Sequence, residues 1–226
     1  MLSESSRLRL DATQNYDQPF TAERLYGWQA ALFPTGRSGM HKITTGAWRD
    51  DGTGPMELVS GAYGKERVHF RAPPAKLLEG EMEMYLGWFN SNTEIDPVLK
   101  AGLAHLWFVT IHPFDDGNGR IARAITDMAL ARSENSSQRF YSMSAQIRQE
   151  RTACYDILEK PQKGTLNITS WMEWFLRCLG RAIDGAQITL RGILVKARFW
   201  ESVAGISLND RQRLISTGCS MASKES

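Results

Sequence analysis

The feature that most constrains this chain is the run of residues 112–123, His-Pro-Phe-Asp-Asp-Gly-Asn-Gly-Arg-Ile-Ala-Arg. It holds an imidazole, two carboxylates, a glycine turn and two guanidinium groups within a dozen positions. A packed core excludes such side chains unless each finds a buried partner or water. The fold must therefore bring this segment to a polar surface or cavity, where a charged ligand can bind.

Helical patterns flank this segment on both sides. Asp96 followed by Pro97 is a strong helix start, and an apolar repeat then leads to His112. The residues of that repeat are Val98, Leu99, Leu103, Leu106 and Trp107. After Gly119, a second repeat continues through Ile121, Ala124, Ile125, Met128 and Leu130. The pattern predicts a junction between two helices, and the positive end of the second helix suits a bound anion.

The rest of the chain is mainly helical, with one interruption. Glycines and short apolar runs between residues 41 and 70 indicate a β-hairpin. Helices are predicted from Thr21 to Pro34, after Pro73, and from 147 to about 161. A longer helical stretch follows from Thr169 towards Trp200, with breaks expected at Gly180, Gly185 and Gly192. We therefore expect a mainly α fold, a helical bundle with a protruding β-hairpin.

Composition sets limits on the class of protein. The chain has 226 residues, a net charge of +2 and three cysteines without ligand spacing, which favour one main domain with reduced thiols. No apolar run is long enough to span a bilayer, and the start lacks a secretory signal, so we predict a cytoplasmic protein with no membrane partner. The small net charge argues against a nucleic-acid partner, which usually requires a concentrated basic face.

The motif has a specific chemistry if its parts act together. Gly117 and Gly119 permit a tight turn that approaches an anion, and the Asn118 amide could donate to it. Arg120 and Arg123 lie three apart, so they share a helix face and can grip a polyphosphate. Asp116 is the candidate ligand for Mg²⁺. His112 has a pKa suited to taking a proton from a hydroxyl.

Each of these residues also has a plain structural interpretation. A single histidine before proline is most often structural, the glycines could merely link two helices, and the arginines could be a solvated helix face. None of these interpretations accounts for all the positions jointly. Elsewhere the structural interpretation is preferred: His105 is predicted as a core residue, and Cys154 and Cys178 as buried thiols.

The segment resembles the signature of Fic-domain proteins, His-x-Phe-x-[Asp/Glu]-Gly-Asn-Gly-Arg-x-x-Arg, and every specified position is met. The resemblance extends beyond the motif, to Gly46-Ala-Trp48-Arg49, Pro73-Pro74 and Trp88-Phe89-Asn90. It covers about residues 20–185. We expect this Fic core to be preceded by an extension over residues 1–19, and followed by a helical extension and polar tail over residues 186–226.

The resemblance implies a protein adenylyltransferase, which transfers AMP from ATP to a hydroxyl side chain of a target protein and releases pyrophosphate. By this resemblance His112 is the base, Asp116 binds Mg²⁺ and Phe114 anchors the loop. The implied nucleotide-binding residues are Gly117, Asn118, Gly119, Arg120, Arg123, Tyr155, Leu158 and Gln162, where Gln162 replaces the more usual asparagine. The hairpin is the implied flap, and the target docks on Met56, Glu57, Leu58 and Val59 as an added strand.

Several alternatives remain open at this stage. The family's inhibitory motif, [Ser/Thr]-x-x-x-Glu-[Gly/Asn], is not found: Glu79-Gly80 and Glu134-Asn135 lack the hydroxyl residue. The chain is then constitutively competent, or part of a longer protein, or inhibited by a separate polypeptide. A homodimer is also open. The rival functions are transfer of another phosphate-containing group, removal of AMP, and a regulatory module that holds nucleotide without turnover.

Overall fold

The computed structural model describes residues 4–52, 54–60, 67–164 and 167–203. The helices in these ranges are α1 (Glu4–Gln14), α2 (Ala22–Leu32), α3 (Leu78–Asn90), α4 (Pro97–Ile111), α5 (Asn118–Glu134), α6 (Met143–Gln149), α7 (Arg151–Lys163) and α8 (Thr169–Ser202). The strands are β1 (Arg37–Ser38), β2 (His41–Lys42), β3 (Glu57–Ser60) and β4 (Arg67–Arg71). The predicted mainly α fold with a β-hairpin is confirmed.

Local sequence explains where the helices begin. The Thr21 hydroxyl accepts a hydrogen bond from the Arg24 backbone N–H at the start of α2. The Asp96 carboxylate accepts from the first free N–H groups of α4, and Pro97 occupies the first helical position. Ser142 caps α6 in the same way as Thr21 caps α2. These caps satisfy N–H groups that have no partner within the helix.

Helices α4 and α5 form the centre of the core, and α5 also packs on α1 and α6. Phe108 of α4 and Ile121 and Ile125 of α5 are fully buried. A cluster of aromatic rings joins α2, α3 and α4, and Phe114 lies fully buried against Trp48 with ring centroids 5.1 Å apart. The loop between α4 and α5 is therefore fixed to the core at its middle.

Two hairpins of two antiparallel strands each complete the described fold. β1 pairs with β2, placing Arg37 opposite Lys42. β3 pairs with β4, placing Glu57 opposite Arg71, and the register shifts between Leu58 and Val59. The second hairpin is the predicted one, although its tip lies outside the described residues. The first was not anticipated, because strands of two residues are too short to show a period.

The structure differs from the sequence-based expectations in three helices. Residues 1–19 were expected only as an extension, but α1 buries Leu8 and Ala12 against the core. The helix predicted from 147 onwards divides at Glu150 into α6 and α7. α8 continues through Gly180, Gly185 and Gly192 without the expected breaks. Glycine costs a helix about 1 kcal/mol relative to alanine, which is too little by itself to end a helix of this length.

The chain divides into two compact units, residues 1–182 and 183–226. The first contains α1 to α7 and all residues of the motif. In the second, residues 183–202 are helical, and residues 204–226, which include the predicted polar tail, lie outside the described residues. Among the described helices, none has the length and apolar character needed to cross a membrane.

Candidate active site

His112 ends helix α4 in a left-handed backbone conformation, with φ 52° and ψ 59°. Its N–H still donates to the Phe108 carbonyl oxygen at 3.0 Å. A left-handed conformation costs a residue with a side chain about 1–2 kcal/mol, so surrounding contacts must hold it. The turn at this position directs the chain from α4 into the loop that leads to α5.

Arg49 supplies those contacts. Its side chain is fully enclosed, and Nε donates to the His112 carbonyl oxygen at 2.8 Å. Nη2 donates to the Pro73 carbonyl oxygen at 2.5 Å, and Nη1 pairs with the Asp51 carboxylate at 3.1 Å. The Arg49 backbone N–H donates to the Pro113 carbonyl oxygen at 2.9 Å. One guanidinium thus joins the motif to the segments on both sides of the β3–β4 hairpin.

The His112 imidazole is held in the form that can accept a proton. Nδ1 lies 3.2 Å from the Val109 carbonyl oxygen, and a carbonyl only accepts, so Nδ1 carries the hydrogen and Nε2 keeps its lone pair. Burial lowers the pKa of His112 to about 4, the Val109 bond and Asp116 oppose this, and Arg49 adds to it. The ring is therefore neutral at pH 7, as a general base requires.

Gly117 and Asn118 form the turn between the loop and α5. Gly117 has φ 93°, and a Cβ at this position would lie 3.0 Å from the Phe33 ring, so only glycine fits without strain. Asn118 is buried; its Oδ1 accepts from the Phe114 N–H at 3.0 Å and its Nδ2 donates to the Phe114 carbonyl oxygen at 2.7 Å. The expected donation from the Asn118 amide to a ligand therefore needs correction: the amide fixes the loop.

Asp116 lies half-exposed beside this turn. Its Oδ2 accepts from the Ser38 hydroxyl at 2.5 Å, and its Oδ1 accepts from the Gly117 N–H at 2.5 Å. Arg120 Nη2 is 3.8 Å from Oδ2. The carboxylate is thus oriented by Ser38, a residue of the unpredicted β1–β2 hairpin. No sequence signal connects the two residues, which lie 78 positions apart.

The two motif arginines line one cavity of about 200 Å³. Arg9 of α1, Arg148 of α6 and the first turn of α6 at Ser144 complete its walls. Arg123 extends over Gly119: its Nη1 is 3.7 Å from the position of a Cβ on that glycine. Burial lowers the pKa of Arg123, and none of the ion pairs in the described part of the chain includes this residue. A half-buried guanidinium without a carboxylate favours an anionic ligand.

The residues expected to contact adenine lie along one face of α7. Tyr155 is exposed, Leu158 is buried, and Gln162 is half-buried with Nε2 3.4 Å from the Thr110 hydroxyl. Tyr155 contacts Arg151, whose guanidinium carbon is 5.3 Å from the ring centroid. This face therefore reaches the end of α4 two residues before His112. Arg9, Ser38, Arg49 and Arg148 were not identified as site residues from the sequence.

The residues expected to dock a target lie on β3 and just before it. The Met56 carbonyl oxygen accepts from the Ala72 N–H at 3.0 Å. Glu57 pairs with Arg71 at 2.6 Å, and Leu58 is half-buried. The Val59 backbone lies in the strand, whereas its side chain is outside the described part. Within the described residues β3 pairs with β4 alone, which leaves one edge for a further strand.

The fit of a divalent metal rests on one carboxylate. Across the described residues, no group of three His, Cys, Asp or Glu side chains could hold a metal ion. The Asp116 side chain is 46% exposed, and Mg²⁺ is often held by one or two carboxylates together with substrate phosphates and water. The residues therefore fit Mg²⁺ only as part of a complex with a phosphate-containing ligand.

His105, Cys154 and Cys178 agree with their structural interpretation. His105 is buried, and its Nδ1 is 2.9 Å from the Thr126 hydroxyl, which itself donates to the Ala122 carbonyl oxygen. Burial lowers the pKa of His105 to about 3. Cys154 and Cys178 are buried free thiols, and burial raises the pKa of each to about 12. Neither thiol is therefore reactive at neutral pH.

The sequence is similar to those of known proteins. Residues 19–130 match the Fic/DOC family. The chain is 31% identical over 122 residues to a uridine 5'-monophosphate transferase of Xanthomonas campestris and 32% identical over 132 residues to a protein adenylyltransferase Fic of Nematostella vectensis. These alignments cover 50% and 56% of this chain, but only 21% and 29% of the relatives. The chain thus matches less than a third of either relative's length.

Solved structures share the fold. A Fic family protein from Desulfovibrio desulfuricans superposes with a TM-score of 0.65 over 95% of this chain and 61% of its own, at 22% identity. Fic-1 (aa134–508) from C. elegans gives 0.55 over 81% of this chain and 51% of its own, at 16% identity. The fold and the site define a helical domain with a glycine-containing loop between two central helices. The chain is a Fic-domain protein.

Proposed function

We propose that this chain transfers AMP from ATP to a hydroxyl group of a target protein. The observation that carries the proposal is the neutral imidazole of His112, which lies in the same loop-and-helix motif as a cavity lined by Arg120 and Arg123. A base and two arginines that belong to one twelve-residue motif suit attack on the phosphorus atom of a polyphosphate. The adenylyltransferase names of several relatives support AMP as the group transferred.

In the proposed reaction His112 accepts the proton of the target hydroxyl. The hydroxyl oxygen of the target attacks the α-phosphorus of ATP, and its proton passes to Nε2 of His112. The bond from the α-phosphorus to the bridging oxygen of the β-phosphate breaks, and pyrophosphate leaves. Arg120 and Arg123 bind the outer phosphates and stabilise the charge that develops on pyrophosphate. Mg²⁺, held by Asp116 with phosphate oxygens and water, would neutralise further charge when bound.

The target is proposed to bind as an extended strand at the free edge of β3. Backbone hydrogen bonds would fix the position of the strand, so the hydroxyl would reach His112 largely independently of the target's sequence. Met56, Glu57, Leu58 and Val59 are the proposed docking residues. Regulation by a separate inhibitor polypeptide fits Arg123, because a carboxylate could occupy the cavity in place of a phosphate.

Replacing His112 with alanine tests the proposal. The parent and the variant are incubated with Mg²⁺ and either α-labelled or γ-labelled ATP, and labelled protein is measured by autoradiography and mass spectrometry. We expect label from the α-position only, and transfer reduced by about 10²–10⁴-fold in the variant, the usual contribution of a general base. His41→Ala, at an exposed histidine outside the motif, serves as the control.

The outcomes separate the proposal from its rivals. Equal labelling by His112→Ala and the parent would exclude His112 as the base. Incorporation from γ-labelled ATP would indicate transfer of a different group. ATP binding without any transferred product would favour a regulatory module that holds nucleotide.

A second candidate is transfer of UMP. It is favoured by the name of the Xanthomonas campestris relative, and Gln162, at the position where asparagine was expected, leaves the base specificity open. The competing nucleotide is tested directly, by comparing α-labelled UTP and ATP at equal concentrations. Greater incorporation from UTP would assign the chain to uridylyl transfer.

A further inference from the structure

The cavity beside the motif contains more positive charge than the motif alone provides. Arg120 and Arg123 come from α5, whereas Arg9 comes from α1 and Arg148 from α6. None of the residues that line this cavity is acidic. Four guanidinium groups from three helices therefore line one space, and a ligand with several negative charges would complement them.

Carboxylates near these helices already have other partners. Asp127 and Glu134 of α5 pair with Arg139 at 3.3 and 3.2 Å. Glu150, between α6 and α7, pairs with Arg181. Arg148 takes part in none of the ion pairs or side-chain hydrogen bonds of the described residues. The charges of Arg123 and Arg148 are thus not balanced from within the described part of the protein.

The size of the cavity restricts what it can hold. Binding pockets for whole small molecules are about 300–1,000 Å³, and this cavity is about 200 Å³. A complete nucleotide exceeds that space, whereas its outer phosphates do not. Guanidinium groups also form paired, directed hydrogen bonds with phosphate oxygens, which a spherical anion cannot exploit.

We propose that Arg148 of α6 completes the binding site for the terminal phosphate of a polyphosphate, acting together with Arg123. Ser144 lies one helical turn before Arg148 and lines the same cavity, so a hydroxyl donor is available on the same face of α6. This proposal rests on the proposed function for the identity of its ligand, a nucleoside triphosphate. It adds a residue outside the motif that selects triphosphate over monophosphate.

Binding measurements test the role of Arg148 without catalysis. Arg148→Gln is introduced into the His112→Ala background, so that nucleotide binds without turnover, and calorimetric titrations are made with ATP, AMP and inorganic tripolyphosphate at constant ionic strength. We expect Kd for ATP and tripolyphosphate to rise about tenfold, at the lower end for a hydrogen bond to a charged group because Arg148 is exposed. Kd for AMP is expected to stay within twofold.

Two further variants control the interpretation. Arg177→Gln removes an exposed arginine of α8 that does not line the cavity, and it is expected to change no Kd. Arg148→Lys keeps the charge and should restore part of the ATP affinity. Because α6 is short, unfolding of each variant by urea is compared with the parent, and only variants of equal stability are interpreted; Ser144→Ala provides a second test if Arg148→Gln is unstable.

The results distinguish this proposal from the proposed function. If the parent transfers AMP but Arg148→Gln binds ATP as the parent does, Arg148 has no part in phosphate binding and the transferase assignment stands. If no group is transferred but tripolyphosphate binds through Arg148, the phosphate site stands and the activity is wrong. Equal weakening of ATP and AMP would place Arg148 near the nucleoside and overturn the proposal.

Discussion

Replacing Arg49 with methionine removes the contacts that fix the position of His112. Methionine fills much of the same volume without a donor. The buried guanidinium makes three side-chain contacts: with the His112 carbonyl oxygen at 2.8 Å, the Pro73 carbonyl oxygen at 2.5 Å and the Asp51 carboxylate at 3.1 Å. In the variant the two carbonyl groups lose these donors, and the left-handed conformation of His112 loses its support.

The expected change in the free energy of unfolding for Arg49→Met follows from these contacts. A buried acceptor that loses its donor costs about 1–3 kcal/mol. The pair with Asp51 adds little, because that carboxylate is 38% exposed. Burial lowers the pKa of Arg49, which means that the folded state bears a desolvation cost that methionine relieves. We therefore expect the free energy of unfolding to fall by about 2–4 kcal/mol.

Urea unfolding measured by tryptophan fluorescence provides the assay, since the chain has seven tryptophans. Arg71→Met is the matched control: its side chain is 68% exposed and pairs with Glu57, so its removal should cost less than about 1 kcal/mol. The loss in free energy of unfolding for Arg49→Lys should fall between those of Arg49→Met and Arg71→Met, because one ammonium cannot reach both carbonyl groups with the fork geometry of arginine. A change below 1 kcal/mol for Arg49→Met would refute the proposed support of His112.

Activity measurements separate a change in the position of His112 from a loss of overall stability in Arg49→Met. At a temperature and denaturant concentration where Arg49→Met is fully folded, we expect nucleotide transfer to be reduced while Kd for ATP is nearly unchanged, because the arginine cavity does not include Arg49. Wild-type transfer in the folded variant would show that His112 keeps its position without the guanidinium.

Two further predictions concern stability. Gly117→Ala should destabilise the protein by about 1–2 kcal/mol, since alanine is strained at φ 93° and would approach Phe33; Gly87→Ala, in α3 with open space around it, should instead stabilise by up to about 1 kcal/mol. If Gly117→Ala and Gly87→Ala change the free energy of unfolding in urea equally, the positive φ of Gly117 does not explain the effect. Acid should destabilise the parent through His105, whose pKa falls from 6.5 unfolded to about 3 folded: stability is complete above pH 6.5 and is lost as pH falls, by about 1.4 kcal/mol per unit. His105→Asn should show a shallower loss between pH 6.5 and 5, and an unchanged slope would contradict the assignment.

The sequence was most informative where the site is local. The helix junction, its flanking caps and the shared face of Arg120 and Arg123 all follow from spacing within thirty residues, because helical period and capping act over short distances. The site residues that were not predicted are distant from the motif in sequence. Ser38 and Arg49 reach the motif from the chain before the β3–β4 hairpin, and Arg148 reaches it from α6. Nothing in a single sequence specifies such tertiary contacts.

The role of Asn118 could not be predicted from the sequence for a different reason. An asparagine between two glycines suggested a donor to the ligand, but its amide instead forms two hydrogen bonds with the Phe114 backbone, four residues earlier. Buried backbone groups of a tight loop need partners, and a short polar side chain nearby is the simplest source. The residue type was therefore consistent with two roles, and only the path of the loop separates them.

The same accounting of polar groups supports an anionic ligand at the site. The polar groups that shape the loop satisfy one another: Asn118 with Phe114, Arg49 with His112, and Ser38 with Asp116. Beyond these pairs, the neutral Nε2 of His112 and the guanidinium groups of Arg123 and Arg148 have no hydrogen-bonded or ion-paired partner among the described residues. This arrangement favours a ligand from outside the chain, and a negative charge on that ligand would complement the two arginines. Under the proposed function that ligand is a nucleoside triphosphate, and the proton that His112 removes comes from the target hydroxyl.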